Sequence, residues 1–221
     1  MSKVFDVSDS LVVDAWRFSS PSFCRHIIMP DGCRDIIFSY NHADGLRYQF
    51  SPLADRAYPV STNEYVRLTG FRLAPRVEID EPSLAACWHR QKHHHLLPDG
   101  WWRDFCHLQP SVAEALECLR TELSTSVALV SRQLGVSART LQRLLQSATG
   151  KPPGYWRSLV RARRCAQLLS SPTDLADIAA TLGYSDQAHM TRELKKWFGV
   201  TPGALRQSPA LLQSIHYRGY D

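Results

Sequence analysis

Two groups of side chains that can hydrogen-bond to the edges of nucleic-acid bases recur in the second half of the chain. The six side chains are Arg139, Gln142 and Arg143, then Gln187, His189 and Arg192. Arginine pairs with the acceptors of guanine, and glutamine pairs with the donor and acceptor of adenine. Four neighbours are better suited to phosphate oxygens, namely Thr140, Thr191, Lys195 and Lys196. The two groups therefore predict two segments that read duplex DNA.

The later group lies on the second of two short helices that the sequence predicts. Asp174 is a cap for a first helix, whose apolar residues recur at helical spacing until Gly183 ends it. Ser185 or Asp186 then caps a second helix, which Gly199 ends. Two short helices joined by a glycine turn are typical of a helix-turn-helix, whose second helix enters the major groove.

A second copy of this pattern precedes it. A helix beginning after Ser126 leads to Gly135, and Ser137 caps a helix that carries the earlier group of side chains. Between the copies, residues 152–171 predict one long spacer helix with Pro152 or Pro153 in its first turn. A rigid spacer would place the two recognition helices about 10 bp apart on one face of DNA.

The spacer also carries a strip of basic residues, Arg157, Arg161, Arg163 and Arg164. Positive charge on a DNA-binding domain can contact phosphates. For Arg161 and Arg164 a second interpretation is equally open, because arginines on a packed helix often form structural ion pairs.

The charge of the chain is unevenly distributed. The net charge is +5, yet residues 1–125 hold 13 basic and 16 acidic residues, whereas residues 126–221 hold 13 and 5. A locally positive domain attracts a polyanion such as DNA. A basic surface that is merely solvated is the alternative that charge alone leaves open.

Composition and motif content exclude several classes of protein. No apolar run approaches membrane-spanning length, and the N-terminus MSKVFDVSDS lacks the apolar core of a signal peptide. Six dispersed cysteines predict free thiols in a reducing compartment, so we expect a cytoplasmic protein. No phosphate loop, nucleophile elbow or HExxH motif occurs, and we therefore expect neither catalysis nor a cofactor.

The first half of the chain predicts a small β-rich domain. Short alternating segments between Phe23 and Leu73 are typical of strands, with a turn at residues 30–32. Aromatic residues on these strands either fill a core or line a small-molecule pocket, and the core is the preferred interpretation. A possibly helical segment begins at Glu81 and leads through residues 98–100 into a tryptophan-rich connector.

The region between residues 87 and 107 concentrates cysteine and histidine. These side chains are Cys87, His89, His93, His94, His95, Cys106 and His107. Their spacing fits no closed zinc pattern, and a histidine run is more often an exposed surface. We predict no metal site, although transition-metal binding here stays open at the level of sequence.

The C-terminal region, about residues 111–207, resembles the DNA-binding domain of AraC/XylS-type bacterial transcriptional regulators. The motif that carries the resemblance is Ile178-Ala179-x-x-x-Gly183-Tyr184-x-x-Gln187-x-His189-Met190-x-Arg192-x-Leu194-Lys195-x-x-Phe198-Gly199-Val200-Thr201-Pro202. The first unit fits through residues 138–145, Gly150, Pro153, Trp156 and Arg161. The sequence departs from the family at Asp186, where a serine is usual, and this carboxylate would lie near the DNA phosphates.

The N-terminal region resembles the small β domain that is found fused to such DNA-binding domains. The similarity is carried by residues 29–38, MPDGCRDIIF, and by Gly70-Phe71-Arg72. The resemblance implies a sensing or regulatory role.

We therefore predict an α+β chain with a small, barrel-like, β-rich domain followed by an all-α domain with two helix-turn-helix units joined by a long helix. The predicted divisions are a regulatory domain at 1–97, a linker at 98–110, a DNA-binding domain at 111–208 and a tail at 209–221. The predicted function is sequence-specific regulation of transcription on double-stranded DNA, with RNA polymerase as a further partner. A small-molecule effector and a homodimer stay open. The alternative function is a small-molecule, metal or partner-binding module that has lost DNA specificity.

Overall fold

The structure is a computed structural model that describes residues 11–42, 45–91, 99–121, 126–217 and 219–220. Its first part is β-rich and its second part is helical, which confirms the predicted α+β class. No helix in the described ranges is long and apolar enough to cross a membrane.

The described strands of the β-rich part form three antiparallel sheets. The strands are β1 (Val12–Ser20), β2 (Cys24–Ile28), β3 (Arg34–Asn41), β4 (Gly45–Phe50), β5 (Tyr58–Thr62), β6 (Val66–Leu73), β7 (Val77–Ile79) and β8 (Cys106–Leu108). The main sheet has the order β1-β6-β3-β4, while β2 pairs with β5 and β7 pairs with β8. Within the described residues the main sheet is open, with β1 and β4 at its edges. The barrel-like detail of the prediction is thus corrected to an open sheet with two ribbons.

The main sheet carries one face of aromatic residues that fill a core. Helix α1 (Glu81–Arg90), which Asp80 caps through the Ser83 amide, packs there with a short 3-10 helix at Trp101–Phe105. The ring centroids of Tyr48 and Trp88 lie 5.0 Å apart, and those of Phe71 and Trp102 lie 5.2 Å apart. Phe38, Tyr48, Phe50 and Phe71 therefore pack against this core, whereas Tyr40 of β3 is exposed.

One glycine is required by this packing. Gly70 of β6 lies opposite Trp16 of β1, and a Cβ atom at Gly70 would lie only 2.1 Å from the indole ring. The same indole donates a hydrogen bond to Asp35 over 3.0 Å. The glycine therefore lets the tryptophan lie flat across the sheet.

The predicted linker at 98–110 is wrong where the structure describes it. Residues 101–108 form the 3-10 helix and strand β8, and β8 pairs with β7. Trp102 is only 1% exposed in the core of the β-rich part. The segment is folded because its large apolar side chains gain more from burial than a solvated connector would.

The described residues of the helical part form eight helices around one core. They are α2 (Pro110–Thr121), α3 (Val127–Gln133), α4 (Ala138–Thr149), α5 (Pro153–Leu168), α6 (Leu175–Thr181), α7 (Gln187–Phe198), α8 (Pro202–Arg206) and α9 (Pro209–Ile215). Helix α5 is central and contacts α2, α4, α6, α7 and α9. The predicted tail also belongs to this core, because Leu212, Ile215 and Tyr220 are buried in it.

The turn between β2 and β3 joins the two parts of the chain. The Asp31 carboxylate accepts a hydrogen bond from the Cys33 amide and lies 3.1 Å from Arg72. The fully buried guanidinium of Arg163 on α5 donates to the carbonyl oxygens of Pro30 and Tyr217. The turn is therefore fixed to the spacer helix and to the C-terminal segment by buried polar contacts.

The burial of this turn affects the residue type at Gly32 and the pKa of Asp31. Gly32 has a φ of +77°, and a Cβ atom there would lie 2.7 Å from the Cβ of Tyr220. Burial raises the pKa of the Asp31 carboxyl, an effect that the charge of Arg72 partly offsets. The motif at 29–33 is thus the docking point of the β-rich part on the helical part.

A second contact joins residues 53–57 to the ends of two helices. The Tyr155 hydroxyl on α5 donates to the Ala54 carbonyl oxygen over 2.7 Å. The Ala57 amide donates to the Trp197 carbonyl oxygen, at the end of α7, also over 2.7 Å. The β-rich part therefore contacts both the spacer helix and the later recognition helix.

Candidate nucleic-acid interface

The first helix-turn-helix unit is formed by α3 and α4. The Ser126 hydroxyl caps α3 by accepting from the Leu129 amide, and the Ser137 hydroxyl caps α4 by accepting from the Thr140 amide. Leu141 and Leu145 point into the core and are fully buried. These caps satisfy amides that would otherwise lack partners in the first turns, so the helix starts follow from the sequence.

The second unit is formed by α6 and α7. Asp186 caps α7 by accepting from the His189 amide over 2.5 Å, whereas the Asp174 side chain makes no capping hydrogen bond to α6. The cap predicted at Asp174 is therefore wrong as a side-chain contact, although the residue does precede the helix. Met190 and Leu194 are fully buried on the inner face of α7.

The turns of the two units share one pattern of backbone hydrogen bonds. The Val136 amide donates to the Ser131 carbonyl oxygen, and the Tyr184 amide donates likewise to Ala179, each over 2.9 Å. Gly135 and Gly183 have φ angles of +67° and +70°, which other residues rarely adopt. The second turn carries one extra residue, Ser185, before its cap.

Most of the predicted DNA-contacting side chains lie on the surface of the two recognition helices. The exposed ones are Arg139, Gln142, Arg143, Gln187, Arg192, Lys195 and Lys196. Thr140, His189 and Thr191 are half-buried. Helical periodicity places all ten residues on α4 or α7 away from the buried leucines and methionine.

Two of the half-buried side chains make contacts with other residues of the protein. The Nδ1 atom of His189 lies 3.0 Å from the Ser185 hydroxyl, and its ring lies edge-on to Tyr184. The Thr140 hydroxyl lies 2.9 Å from that of Ser137. His189 is therefore held against the turn of the second unit, which does not favour its predicted role as a base reader.

A buried polar network fixes α7 to the spacer helix. Arg161 donates to both carboxylate oxygens of Glu193, at 3.1 and 2.5 Å, and the Tyr184 hydroxyl donates to the same carboxylate at 3.0 Å. The side chains of Arg161 and Glu193 are each only 12% exposed. The Arg161 guanidinium also lies 4.3 Å from the centre of the Tyr184 ring.

The electrostatics of this network explain which groups are charged. Burial disfavours the charge of Arg161, but the hydrogen bond and charge of Glu193 outweigh it and raise its pKa. Burial and the Glu193 charge both raise the pKa of Tyr184, which stays a neutral donor. The network therefore contains one bidentate ion pair and one neutral hydroxyl.

The geometry favours a structural role for three of the four spacer arginines. Arg161 pairs with Glu193, Arg163 is buried at the turn of the β-rich part, and Arg164 donates to the Arg120 carbonyl oxygen. Sequence reasoning missed Glu193 and Tyr184 as partners. Glu193 could have been found from the sequence because it is the one carboxylate in α7, a helix whose other charged residues are basic.

The cysteine and histidine region shows no metal site in the part of the chain that the structure describes. No three His, Cys, Asp or Glu side chains converge there. His93, His94 and His95 lie outside the described residues. The Cys106 thiol instead contacts the Trp102 carbonyl oxygen at 3.7 Å, and burial raises its pKa to about 11.

The sequence of the helical part is similar to that of known proteins. Residues 130–208 match the family described as a helix-turn-helix domain. Over 78 residues the chain is 36% identical to the transcriptional regulator ExsA of Pseudomonas aeruginosa, covering 35% of this chain and 28% of ExsA. Over 103 residues it is 32% identical to the regulator GlxA of Rhizobium meliloti, covering 44% of this chain and 31% of GlxA.

A solved structure is also similar to part of the chain. The AraC-type transcriptional regulator structure from Chromobacterium violaceum is 27% identical, with 46% of this chain and 94% of that chain covered and a TM-score of 0.44.

Residues 130–208 are a helix-turn-helix domain of the AraC type. The two relatives are named as regulators of transcription, not as enzymes. The chain spans less than a third of the length of each of these two relatives.

Proposed function

We propose that this protein is a sequence-specific DNA-binding regulator of transcription that reads two successive major-groove segments. The observation that carries the proposal is that two capped recognition helices, α4 and α7, contact one spacer helix and leave seven polar or basic side chains exposed. Arg139, Gln142 and Arg143 read bases in one segment, while Gln187 and Arg192 read the other. Thr140, Thr191, Lys195 and Lys196 contact phosphates, and His189 supports the turn.

Control passes through the β-rich part in this proposal. Its turn at 29–33 and its segment at 53–57 contact α5 and the end of α7. A change at these contacts would alter how the two recognition helices face DNA. Bound at a promoter, the protein recruits or blocks RNA polymerase.

A small-molecule effector would have a place between the two parts. A cleft there is lined by Val12 and Arg76 of the β-rich part, by Leu116 and Arg120 of α2, and by Tyr220. A ligand in this cleft would contact both parts at once, so it could bias their docking. A homodimer would extend the recognised site from two segments to four.

The experiment that tests the proposal is a selection of random duplex DNA by the purified full chain at near-physiological salt. It is repeated with Arg143→Ala and Arg192→Ala, which occupy matching positions on α4 and α7. Arg67→Ala is the matched control, because Arg67 is an exposed arginine of β6 and its loss removes the same charge.

The expected result is an enriched motif of two blocks about 10 bp apart, each weakened by one of the two variants. A base-reading arginine should contribute about 1–3 kcal/mol of discrimination, and the control should leave the motif unchanged. If cognate and random DNA lose affinity together as salt rises, the proposal fails and the alternative of a lost DNA specificity gains support.

A further inference from the structure

The exposed face of α7 carries a shallow concave patch near its N-terminal end. Gln187, Ala188, Thr191 and Arg192 line it, and its surface is predominantly apolar. These positions are adjacent on a helix because residues three and four apart lie side by side. The patch therefore lies on the surface that would face the DNA bases.

The first unit has no equivalent patch by sequence. When the caps Ser137 and Asp186 are aligned, Arg139 takes the position of Ala188 and Gln142 takes that of Thr191. Arg143 and Arg192 occupy the same position in both units. A long charged side chain thus stands in α4 where α7 has only a methyl group, so the patch is a specific property of the second unit.

We propose that this patch is a subsite for the 5-methyl group of thymine, with Ala188 at its centre. The inference rests on the proposed function and adds to it a residue and a base. The thymine methyl is the apolar group that base edges display in the major groove, and alanine and threonine methyl groups contact it. Gln187 and Arg192 border the patch with groups that pair with adenine and guanine, so the thymine lies between two hydrogen-bonded bases.

The shape of the site explains why a small residue is needed at this position. The short side chain of Ala188 lets the thymine methyl group approach the backbone of α7 closely. Each methyl group removed from water contributes to affinity. Thr191 also lines the patch, where its methyl group is available to the thymine while its hydroxyl is the group assigned to phosphate. A larger or charged residue at 188, like Arg139 in the first unit, would occupy the space.

The test replaces thymine by deoxyuridine, which removes the methyl group and changes no hydrogen-bonding group. The cognate duplex comes from the selection described above, and each thymine in the block assigned to α7 is replaced in turn. Binding of the full chain is measured by fluorescence anisotropy at one salt concentration. Wild-type protein should lose about three- to fivefold in affinity at one position, the size expected for one buried methyl group.

Ala188→Ser links that loss to the patch. This variant should bind the thymine duplex more weakly than wild type, and it should show little further loss on the deoxyuridine duplex. Ala180→Ser is the control, since Ala180 is an exposed alanine of α6 in the same unit. It should retain the full sensitivity to deoxyuridine.

The outcomes separate this inference from the proposed function. A cognate motif whose α7 block tolerates deoxyuridine everywhere would overturn the thymine subsite and leave the proposed function standing. Unchanged deoxyuridine sensitivity in Ala188→Ser would overturn the role of Ala188. Failure to enrich any motif would count against the proposed function itself.

Discussion

The two helix-turn-helix units share a pattern of turns and caps, yet they are attached to the rest of the protein in different ways. The first unit packs through apolar residues of α4 onto α2 and α5. The second is tied to α5 by the pair of Arg161 and Glu193 and to the β-rich part through Trp197. Similar recognition helices can therefore respond differently to the same domain. Among the residues that the structure describes, the second unit is the one with a backbone hydrogen bond to residues 53–57.

The largest expected effect comes from breaking the polar attachment of the second unit. Glu193→Ala leaves the guanidinium of Arg161 largely buried without its carboxylate, which should cost about 3 kcal/mol of unfolding free energy. Urea denaturation of the full chain measures this loss. DNA binding should weaken most for the block assigned to α7.

Glu117→Ala is the matched control for that change. The Glu117 carboxylate pairs with Arg120 on the surface of α2, where the two side chains are 56% and 33% exposed. An exposed pair of this kind should contribute less than about 1 kcal/mol. Equal losses in the two variants would contradict the view that the second unit depends on a buried ion pair.

The caps of the two recognition helices give the next largest contrast. Ser137→Ala and Asp186→Ala each remove a side-chain acceptor from a helix start and should each cost about 1 kcal/mol of stability. Only Asp186→Ala also removes a negative charge beside the proposed DNA surface. It should therefore strengthen binding to random duplex DNA, whereas Ser137→Ala should not.

Thermal unfolding and anisotropy on a random duplex measure these two effects separately. Asp186→Asn adds a useful intermediate, since it keeps a side-chain oxygen for the cap and loses the charge. Should Asp186→Ala bind random DNA more weakly than wild type, the carboxylate does not oppose the phosphates.

A smaller effect is expected at the contact between the β-rich part and the spacer helix. Tyr155→Phe removes the hydroxyl that donates to Ala54 and should cost about 1 kcal/mol in urea unfolding. Because the ring also lies 5.3 Å from that of Trp197, the apolar packing of α7 should survive. Unchanged stability would mean that this hydrogen bond adds nothing to the docking.

Local sequence signals were sufficient to predict most helices and the exposed faces of α4 and α7. Caps such as Ser137 and ending glycines such as Gly199 act within one turn, so their effect can be read from neighbouring residues. Strands β2, β3, β4 and β6 lie in the segments predicted between Phe23 and Leu73, because the alternation of apolar and polar residues is also a local signal. The sequence pattern missed β1, which precedes those segments, β5, which contains Pro59, and the short strands β7 and β8.

Contacts between distant segments were not predictable in this way. Arg163 looks like one of four arginines on a basic strip, yet its acceptors come from Pro30 and Tyr217. His189 lies among DNA-facing residues in sequence, but Ser185, the extra residue of the second turn, holds its ring. Such placements depend on backbone positions that periodicity alone does not specify.

The contact of the C-terminal segment with Asp31 constrains the order in which the chain can fold. The Tyr220 amide donates to the Asp31 carbonyl oxygen, and Gly219 lies so close to the same oxygen that a Cβ atom would be 2.6 Å from it. This junction joins residues that lie far apart along the chain, and closing so long a loop is slow. During synthesis the β-rich strands can form early, but their turn stays without its final contacts until residue 220 has left the ribosome.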